Sequence, residues 1–333
     1  MKSTLAMQWE LARHLVAAGA LRCTHDSAHV ALVGLASGSW GLALALDEFV
    51  AGQGNDGFDE HGLKAAADRY AVSQVKRGEG LGLFTGYEGQ LLLNTNTRHV
   101  SIHVSHGGTH REEPPGDLMN GSPGVAWAQF CLGEPCSRLL ADSVADTKPG
   151  LAHGHLVRYA LPGQLAYRDC ARPLRAEIER LGGAPGWCNG IAGAIVATTS
   201  QDLVECYPGA SGYLIDLVTD LTSFDFDTVV EMGLCHGLLG IAVVLAGTGR
   251  LYGWPHCTNF ANLVAEHAFE RLDDGLERVD ARTTDFWETD LTWLTGAAGI
   301  LWALQVVKRQ PEVNPLFPLD SVRTGGGLIT SCG

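Results

Sequence analysis

Two cysteines and one histidine have the residue types and the sequence context of a catalytic zinc site. Cys188 lies in the sequence GWCNG, and Cys235 and His236 lie in LCHG, so each cysteine stands two residues before a glycine. Two thiolates and one imidazole are a ligand set of catalytic zinc, in which the fourth tetrahedral position stays open to water or substrate. Thiolate ligands also favour zinc over magnesium or calcium. The alternative is that both cysteines are buried structural residues and that the histidine caps a helix.

The chemistry that suits such a site is the activation of a thiol. A zinc ion that holds two thiolates has much of its charge neutralised, which makes it a modest Lewis acid for carbonyl groups. It remains a good activator of an incoming thiol, whose free pKa is about 8.5 and which loses its proton on binding. The sequence has no nucleophile motif of the hydrolase or papain kind and no Walker loop. We therefore predict thiolate alkylation as the reaction.

A further histidine is a candidate general acid or base. His153, in LAHGH, stands directly before a glycine, as His236 does in its own segment. Small shifts bring the pKa of a histidine close to 7, which suits proton transfer, and His155 is a second candidate. Asp117, in GDLMNG, would orient or charge-stabilise His153. The alternatives are a loop histidine that caps a helix and an aspartate at a helix N-terminus.

The elements that position these residues come from an internal repeat. Seven copies of a glycine-led step run into apolar stretches, and their lead glycines are Gly38, Gly86, Gly121, Gly154, Gly190, Gly237 and Gly296. A second glycine follows three residues later in every copy except the fourth, which has Val157. The spacings of 33 to 59 residues indicate one repeated supersecondary unit.

Each copy predicts a buried inner helix, and the segments between copies predict outer helices. The residues after the second glycine are apolar on nearly all sides, which is typical of a helix that is buried on all sides. Amphipathic stretches lie at 3–20, 61–78, 169–183, 213–223 and 258–274. The first and last copies are as apolar as the middle ones, whereas an open array needs polar capping repeats. We therefore predict a closed ring, with an ordinary helical array that has no site as the alternative.

The predicted fold class is all-α, an α/α toroid of seven inner and about seven outer helices. Residues 1–310 would form this single domain, and residues 311–333 would form an irregular tail rich in proline and glycine. The polar segment 94–116 would be a short hairpin or loop insertion. Its histidines, His99, His103, His106 and His110, are expected to be solvated and not a second metal site. In a ring the fifth and sixth copies are neighbours, so the two cysteines and His236 would converge at one rim.

Composition excludes several classes of protein. The chain has 333 residues, of which 46% are apolar and 18% are charged, as in a folded domain with a large core. A net charge of −14 disfavours nucleic-acid binding. No apolar run reaches the ~18 residues of a membrane span, and the amphipathic N-terminus is unlike a signal peptide. The nine widely spaced cysteines disfavour a disulfide framework and favour a cytoplasmic location.

Around Cys188, Cys235, His236 and His153, the sequence resembles the lanthionine synthetase C-like (LanC) cyclases. The resemblance covers about residues 30–305. It rests on W-C-x-G at 187–190, C-H-G at 235–237, A-H-G at 152–154 and the glycine copies. It implies an α/α toroid that holds one Zn²⁺ through Cys188, Cys235 and His236. It also implies that His153 is the acid or base and that Asp117 is its partner.

The resemblance also implies a reaction and its partners. A cysteine thiol of a ribosomally made precursor peptide would add, as thiolate, to the β-carbon of dehydroalanine or dehydrobutyrine. Protonation of the enolate would complete a lanthionine or methyllanthionine ring. The precursor with its leader would be the substrate, and separate dehydratase or kinase and lyase enzymes would dehydrate it. Two alternatives stay open: addition of a small thiol such as glutathione, and a non-catalytic scaffold of a peptide-modification complex.

The sequence departs from the family pattern beside the first zinc cysteine. Family members often have an arginine four residues before this cysteine and a tyrosine directly after it, where this chain has Ala184 and Asn189. If the role of the arginine is retained, Arg98, Arg111 or Arg180 would have to supply it.

Overall fold

The computed structural model describes residues 8–9, 11–13, 15–16, 39–52, 118–119, 123–124, 127, 150–152, 156, 160, 171–199, 209–278, 292–309, 311 and 314–317. Within these ranges the regular structure is helical and there is no strand. The insertion predicted at 94–116 lies outside the described residues. None of the helices in the described part of the chain has the length and apolar character needed to span a membrane.

The described helices alternate between inner and outer positions. Their bounds are α1 (Ser39–Gly52), α2 (Ala171–Glu179), α3 (Ile191–Thr198), α4 (Ala210–Thr222), α5 (Leu238–Tyr252), α6 (Pro255–Arg278) and α7 (Ala297–Lys308). A 3₁₀ turn at Phe226–Thr228 lies between α4 and α5. The residues described between 8 and 16 are also helical. Helices α1, α3, α5 and α7 each begin directly after a lead glycine, as the repeat predicts.

Three of the inner helices, α3, α5 and α7, are buried over most of their length, whereas α1 exposes Asp47 and Ala51. Every residue of α3 is buried, as are residues 238–249 of α5 and residues 297–307 of α7. The outer helices bury one face only. In α4 that face consists of Leu214, Leu217, Val218 and Leu221, whose spacing is that of one helical stripe. Helix α4 packs against α3, and α6 packs against both α5 and α7.

Among the described residues, the inner helices of the first and last copies pack against each other, as closure of the ring requires. Helix α3 contacts α5, α5 contacts α7, and α7, from the last copy, contacts α1, from the first. Polar contacts reinforce this closing interface. The Nε2 atom of Gln305 donates to Oε1 of Gln8 at 3.1 Å, and the Arg309 guanidinium lies 3.5 Å from the Glu48 carboxylate. The predicted closed ring is confirmed.

The loops that precede the inner helices form a hydrogen-bonded belt around one end of the ring. In each case the carbonyl two residues before a lead glycine accepts from backbone amides of the preceding copy. The donor and acceptor pairs are Leu118 N to Ala152 O, Leu151 N and Ala152 N to Cys188 O, Trp187 N and Cys188 N to Cys235 O, and Leu234 N and Cys235 N to Leu294 O. Copies three to seven therefore follow one another around the ring in sequence order.

The glycines let each loop fold back onto its own helix. A Cβ at Gly193 would overlap the carbonyl oxygen of Trp187, and a Cβ at Gly240 would overlap that of Leu234. The loop carbonyls in turn accept the first helical amides; for example, Ile191 N donates to Ala184 O at 2.7 Å. Helix N-termini otherwise leave such donors unsatisfied. This arrangement replaces a side-chain cap, which α3, α5 and α7 lack.

The fourth copy, which lacks a second glycine, has a different hydrogen-bond spacing in its loop. In the fifth and sixth copies the second glycine donates to the carbonyl four residues before the lead glycine, as Gly193 does to Gly186. In the fourth copy the equivalent carbonyl, that of Gly150, accepts instead from Leu156, at 3.1 Å. The amide that reaches this carbonyl therefore comes one residue earlier than in the fifth and sixth copies.

Part of the C-terminal tail lies inside the molecule. Asn314, Leu316 and Phe317 are fully buried, although the tail was expected to be irregular and to follow the domain. Phe317 packs against Gly247 of α5. The domain boundary at residue 310 stays a prediction.

Candidate metal centre

The loop belt brings the two predicted cysteines to neighbouring positions. The amide of Cys188 donates to the carbonyl of Cys235 at 3.1 Å, so the fifth and sixth copies meet at these residues. The ligand atoms of Cys188, Cys235 and His236 all lie within 4.8 Å of one another. The Sγ atom of Cys235 is 3.8 Å from Nε2 of His236. The convergence expected from the repeat is thus present.

The cluster is buried at its thiols and open at its imidazole. Cys188 is 2% exposed and Cys235 is 6% exposed, whereas the side chain of His236 is 45% exposed. Neither cysteine forms a disulfide within the described part of the chain. A ligand bound to this cluster would therefore be held from the protein side by sulfur and could be approached by solvent or substrate from the side of the histidine.

The electrostatics of the cluster favour a cation. A hydrogen bond with Cys188 is the main cause that raises the pKa of Cys235, and burial and the negative charge of the neighbouring thiolate act in the same direction. The pKa of His236 is also raised, chiefly by its hydrogen bond with Cys188. Two adjacent buried thiols thus oppose each other's ionisation. A divalent cation between them would remove this opposition, since a coordinating thiol is deprotonated.

A carboxylate faces the other side of the histidine. Oε2 of Glu231 lies 3.9 Å from Nδ1 of His236, while Nε2 of the same ring faces Cys235. Metal-binding histidines usually turn their second ring nitrogen towards a carboxylate or carbonyl, which holds the ring in place. The donor atoms and their surroundings therefore fit zinc with three protein ligands.

The comparisons with known proteins find likeness at the level of structure. No protein-family model matches the sequence, and no curated protein matches it either. Eight chains of solved structures match. One of them is nisin cyclase, with a TM-score of 0.62 and 14% sequence identity over 91% of this chain and 97% of that chain.

The chain has the fold of nisin cyclase, an α/α toroid. The fold class predicted from the repeat and from the LanC resemblance is therefore confirmed. The match to nisin cyclase extends over nearly the whole length of both chains.

The proposed proton-transfer residues lie outside the part of the nisin cyclase-like fold that the structure describes. This applies to His153, Asp117 and His155. Two adjacent residues are described: Ala152 N donates to Cys188 O at 3.0 Å, and Leu118 N donates to Ala152 O at 2.9 Å. The third and fourth copies thus join the belt beside the metal cluster. The catalytic roles of His153 and Asp117 stay predictions.

The two positions that depart from the LanC pattern lie on either side of Cys188. Ala184 provides the carbonyl that caps α3, and Asn189 is exposed beside Cys188. Arg180, one of the suggested substitutes for the family arginine, is paired with Glu177 at 3.1 Å. The other two, Arg98 and Arg111, lie outside the described residues.

The role of a further set of glycines, four residues before the lead glycines, was not predicted from the sequence. A glycine four residues before the lead glycine lets each loop press against the next. A Cβ at Gly186 would lie 3.0 Å from Cα of His236, and one at Gly150 would lie 2.7 Å from Cα of Asn189. The signal was available, because Gly34, Gly82, Gly150, Gly186 and Gly233 all occupy this position. The third and seventh copies have Asp117 and Thr292 there.

Proposed function

We propose that this protein is a zinc-dependent cyclase that forms thioether rings in a ribosomally made peptide. The observation that carries the proposal is the convergence of Cys188, Cys235 and His236 at one end of a toroid like that of nisin cyclase. A ligand set of two cysteines and a histidine is typical of a catalytic zinc with one open position. One Zn²⁺ per chain would be held by these three side chains.

The proposed reaction is a Michael addition without net loss of atoms. A zinc ion held by Cys188, Cys235 and His236 would favour deprotonation of the peptide thiol at neutral pH. The sulfur forms a bond to the β-carbon of dehydroalanine or dehydrobutyrine, and the carbon–carbon double bond becomes an enolate. The α-carbon then gains a proton that balances the one lost by the thiol. The product is a lanthionine or methyllanthionine ring.

The chain's own residues would hold the peptide thiol and move the proton. The buried side of the cluster excludes water around Cys188 and Cys235, while the exposed side of His236 admits the peptide. His153 would donate the proton to the α-carbon, and Asp117 would hold His153 in orientation. Glu231 would hold the imidazole of His236 from its Nδ1 side.

The proposed partners follow from this chemistry. The substrate is a precursor peptide with a leader, and separate dehydratase or kinase and lyase enzymes would make its dehydrated residues. The thiols of substrate and enzyme must stay reduced, which suits a cytoplasmic location. The described cysteines, Cys188, Cys235 and Cys257, form no disulfide with one another.

The test compares two cysteine variants in zinc content and in cyclisation of a dehydrated precursor. We expect Cys235→Ala to lose stoichiometric zinc and to lower the cyclisation rate by at least about 100-fold, because a ligand is removed. Cys257→Ala is the control, since it removes a buried free thiol from α6 and should retain both properties. Full cyclisation by Cys235→Ala would contradict the zinc assignment.

The same assay separates the alternatives by mass. Ring closure protects the peptide cysteine from thiol-alkylating reagents and leaves the mass of the peptide unchanged. Addition of glutathione would increase the mass and leave the cysteine free to be alkylated. Wild-type protein without stoichiometric zinc would exclude both enzymatic functions and favour a scaffold.

A further inference from the structure

The buried C-terminal segment, residues 314–317, forms a compact turn inside the toroid. Oδ1 of Asn314 accepts hydrogen bonds from the amides of Leu316, at 3.2 Å, and Phe317, at 3.1 Å. The side chains of Asn314, Leu316 and Phe317 have no exposed surface. The turn is therefore a built part of the core.

Two tryptophans from different copies bind consecutive carbonyls of this segment. Nε1 of Trp127 donates to Pro315 O at 2.8 Å, and Nε1 of Trp187 donates to Leu316 O at 2.9 Å. Both indoles are fully buried. Because water does not reach them, each indole N–H depends on its protein partner, and loss of such a partner costs about 1–3 kcal/mol.

One of these tryptophans stands directly before a member of the metal cluster. Trp187 precedes Cys188, and its amide donates to Cys235 O at 3.0 Å. A Cβ at Gly193 would overlap the carbonyl oxygen of Trp187, so the start of α3 packs tightly against this carbonyl. The amide and the carbonyl of Trp187 are thus held by the repeat, and its side chain is held by the C-terminal segment.

We propose that the segment 314–317 is a positioning element of the metal centre. The carbonyl of Leu316 holds the indole of Trp187, and the indole holds the loop in which Cys188 points at Cys235 and His236. Trp127 makes the equivalent bond but adjoins no member of the cluster, so its role is confined to stability. The relevance to metal binding rests on the proposed function, but the position of the Cys188 thiol can be measured without any metal.

The first test measures alkylation of Cys188 in metal-free protein by peptide mapping. Trp187→Phe removes the indole N–H and keeps most of the aromatic volume, and Trp127→Phe makes the same change away from the cluster. We expect Cys188, which is 2% exposed, to react at least about tenfold faster in Trp187→Phe and at the wild-type rate in Trp127→Phe. Cys257 is the internal reference, because burial raises its pKa to about 11. Equal rates at Cys188 in both variants would overturn the proposal.

A second variant guards against a general loss of structure. Asn314→Ala removes the side chain that holds the turn together and leaves both tryptophans in place. It should accelerate alkylation of Cys188 as Trp187→Phe does, without faster reaction of Cys257. If Cys257 reacts faster in step with Cys188 in either variant, the effect is global unfolding and the proposal fails.

Zinc affinity provides the readout that connects the segment to function. By competition with a chelator, Trp187→Phe should bind zinc about 10-fold or more weakly than the wild type, and Trp127→Phe should stay within about threefold, since residues that orient ligands contribute 10–100-fold. Wild-type zinc binding with equal affinities in both variants would sink this proposal and leave the proposed function intact. Absence of zinc from the wild type would contradict the proposed function. The alkylation rates would still show whether the segment 314–317 controls the accessibility of the Cys188 thiol.

Discussion

At the scale of single residues, the described glycines of the repeat lie against backbone atoms of their own and neighbouring loops. The second glycine of a copy faces the carbonyl of its own loop, as Gly240 faces Leu234 and Gly299 faces Trp293. The glycine four residues before the lead glycine faces the next loop, as Gly186 faces His236. These contacts set the distance between the Cys188 loop and the Cys235 loop, so a structural glycine determines the geometry of the metal cluster.

Replacing the second glycine of the sixth copy should destabilise the protein. In Gly240→Ala the new Cβ overlaps the carbonyl oxygen of Leu234, which belongs to the backbone and cannot rotate away. Overpacking of this kind costs ~1–3 kcal/mol, and we expect a loss of at least about 2 kcal/mol of unfolding free energy in urea. Gly212→Ala in α4 is the control, because no atom lies within 4 Å of its new Cβ. Helix propensity predicts an unchanged or slightly higher stability there, by up to about 1 kcal/mol. Equal losses in the two variants would contradict this explanation of the glycines.

A residue of the site could be predicted from the sequence when its position follows from the alignment of the repeated copies. Cys188 and Cys235 occupy the same position of adjacent copies, so their proximity follows from the alignment of Gly190 and Gly237. The recurrence of glycine at the position of Gly186 is visible in the sequence. Its close contact with His236 was not predictable, because that contact depends on the path of the neighbouring loop. The bond from Trp187 to Leu316 joins residues 129 apart, one of which belongs to no copy, so no periodicity connects them.

At the scale of helices, the ring depends on one interface between elements far apart in the chain. Helix α7 packs against α1 as the other inner helices pack against their sequence neighbours. Arg309, directly after α7, reaches the carboxylate of Glu48 at 3.5 Å and its backbone carbonyl at 3.3 Å. The Glu48 side chain is only 12% exposed, so this ion pair is more shielded from solvent than a pair on the surface.

Removing the Arg309 cation from this interface should lower the free energy of unfolding more than removing a cation from an exposed ion pair. In Arg309→Met, the nearly buried carboxylate of Glu48 loses its guanidinium, and we expect a loss of about 1–2 kcal/mol, reduced by the partial exposure of Arg309. Arg175→Met is the matched control, because Arg175 and Glu179 form an ion pair whose side chains are 66% and 67% exposed. Exposed pairs of this kind contribute ~0–1 kcal/mol. Urea unfolding of both variants gives the comparison, and a control loss as large as that of Arg309→Met would contradict the importance of ring closure.

At the scale of the whole molecule, the toroid has an internal support that the repeat does not predict. The segment 314–317 contacts Trp127 of the third copy, Trp187 of the fifth and Gly247 of the sixth. A tail rich in proline and glycine is typical of an irregular end, and its composition alone carries no sign of burial. Its buried contacts nevertheless join three copies of the repeat.

Shortening the chain on either side of this segment tests its role for the molecule. A chain that ends at Phe317 keeps the buried side chains and hydrogen bonds of segment 314–317 and is the matched reference. A chain that ends at Arg309 loses the buried Leu316 and Phe317, each worth ~1.5–3 kcal/mol, and leaves two buried indoles without their carbonyl partners. We expect its unfolding free energy to fall by about 4 kcal/mol or more, a large part of the 5–15 kcal/mol typical of a folded domain. Urea unfolding followed by tryptophan fluorescence measures both chains. If they unfold at the same urea concentration, residues 314–317 do not support the ring, and the proposed control of Cys188 through Trp187 loses its basis.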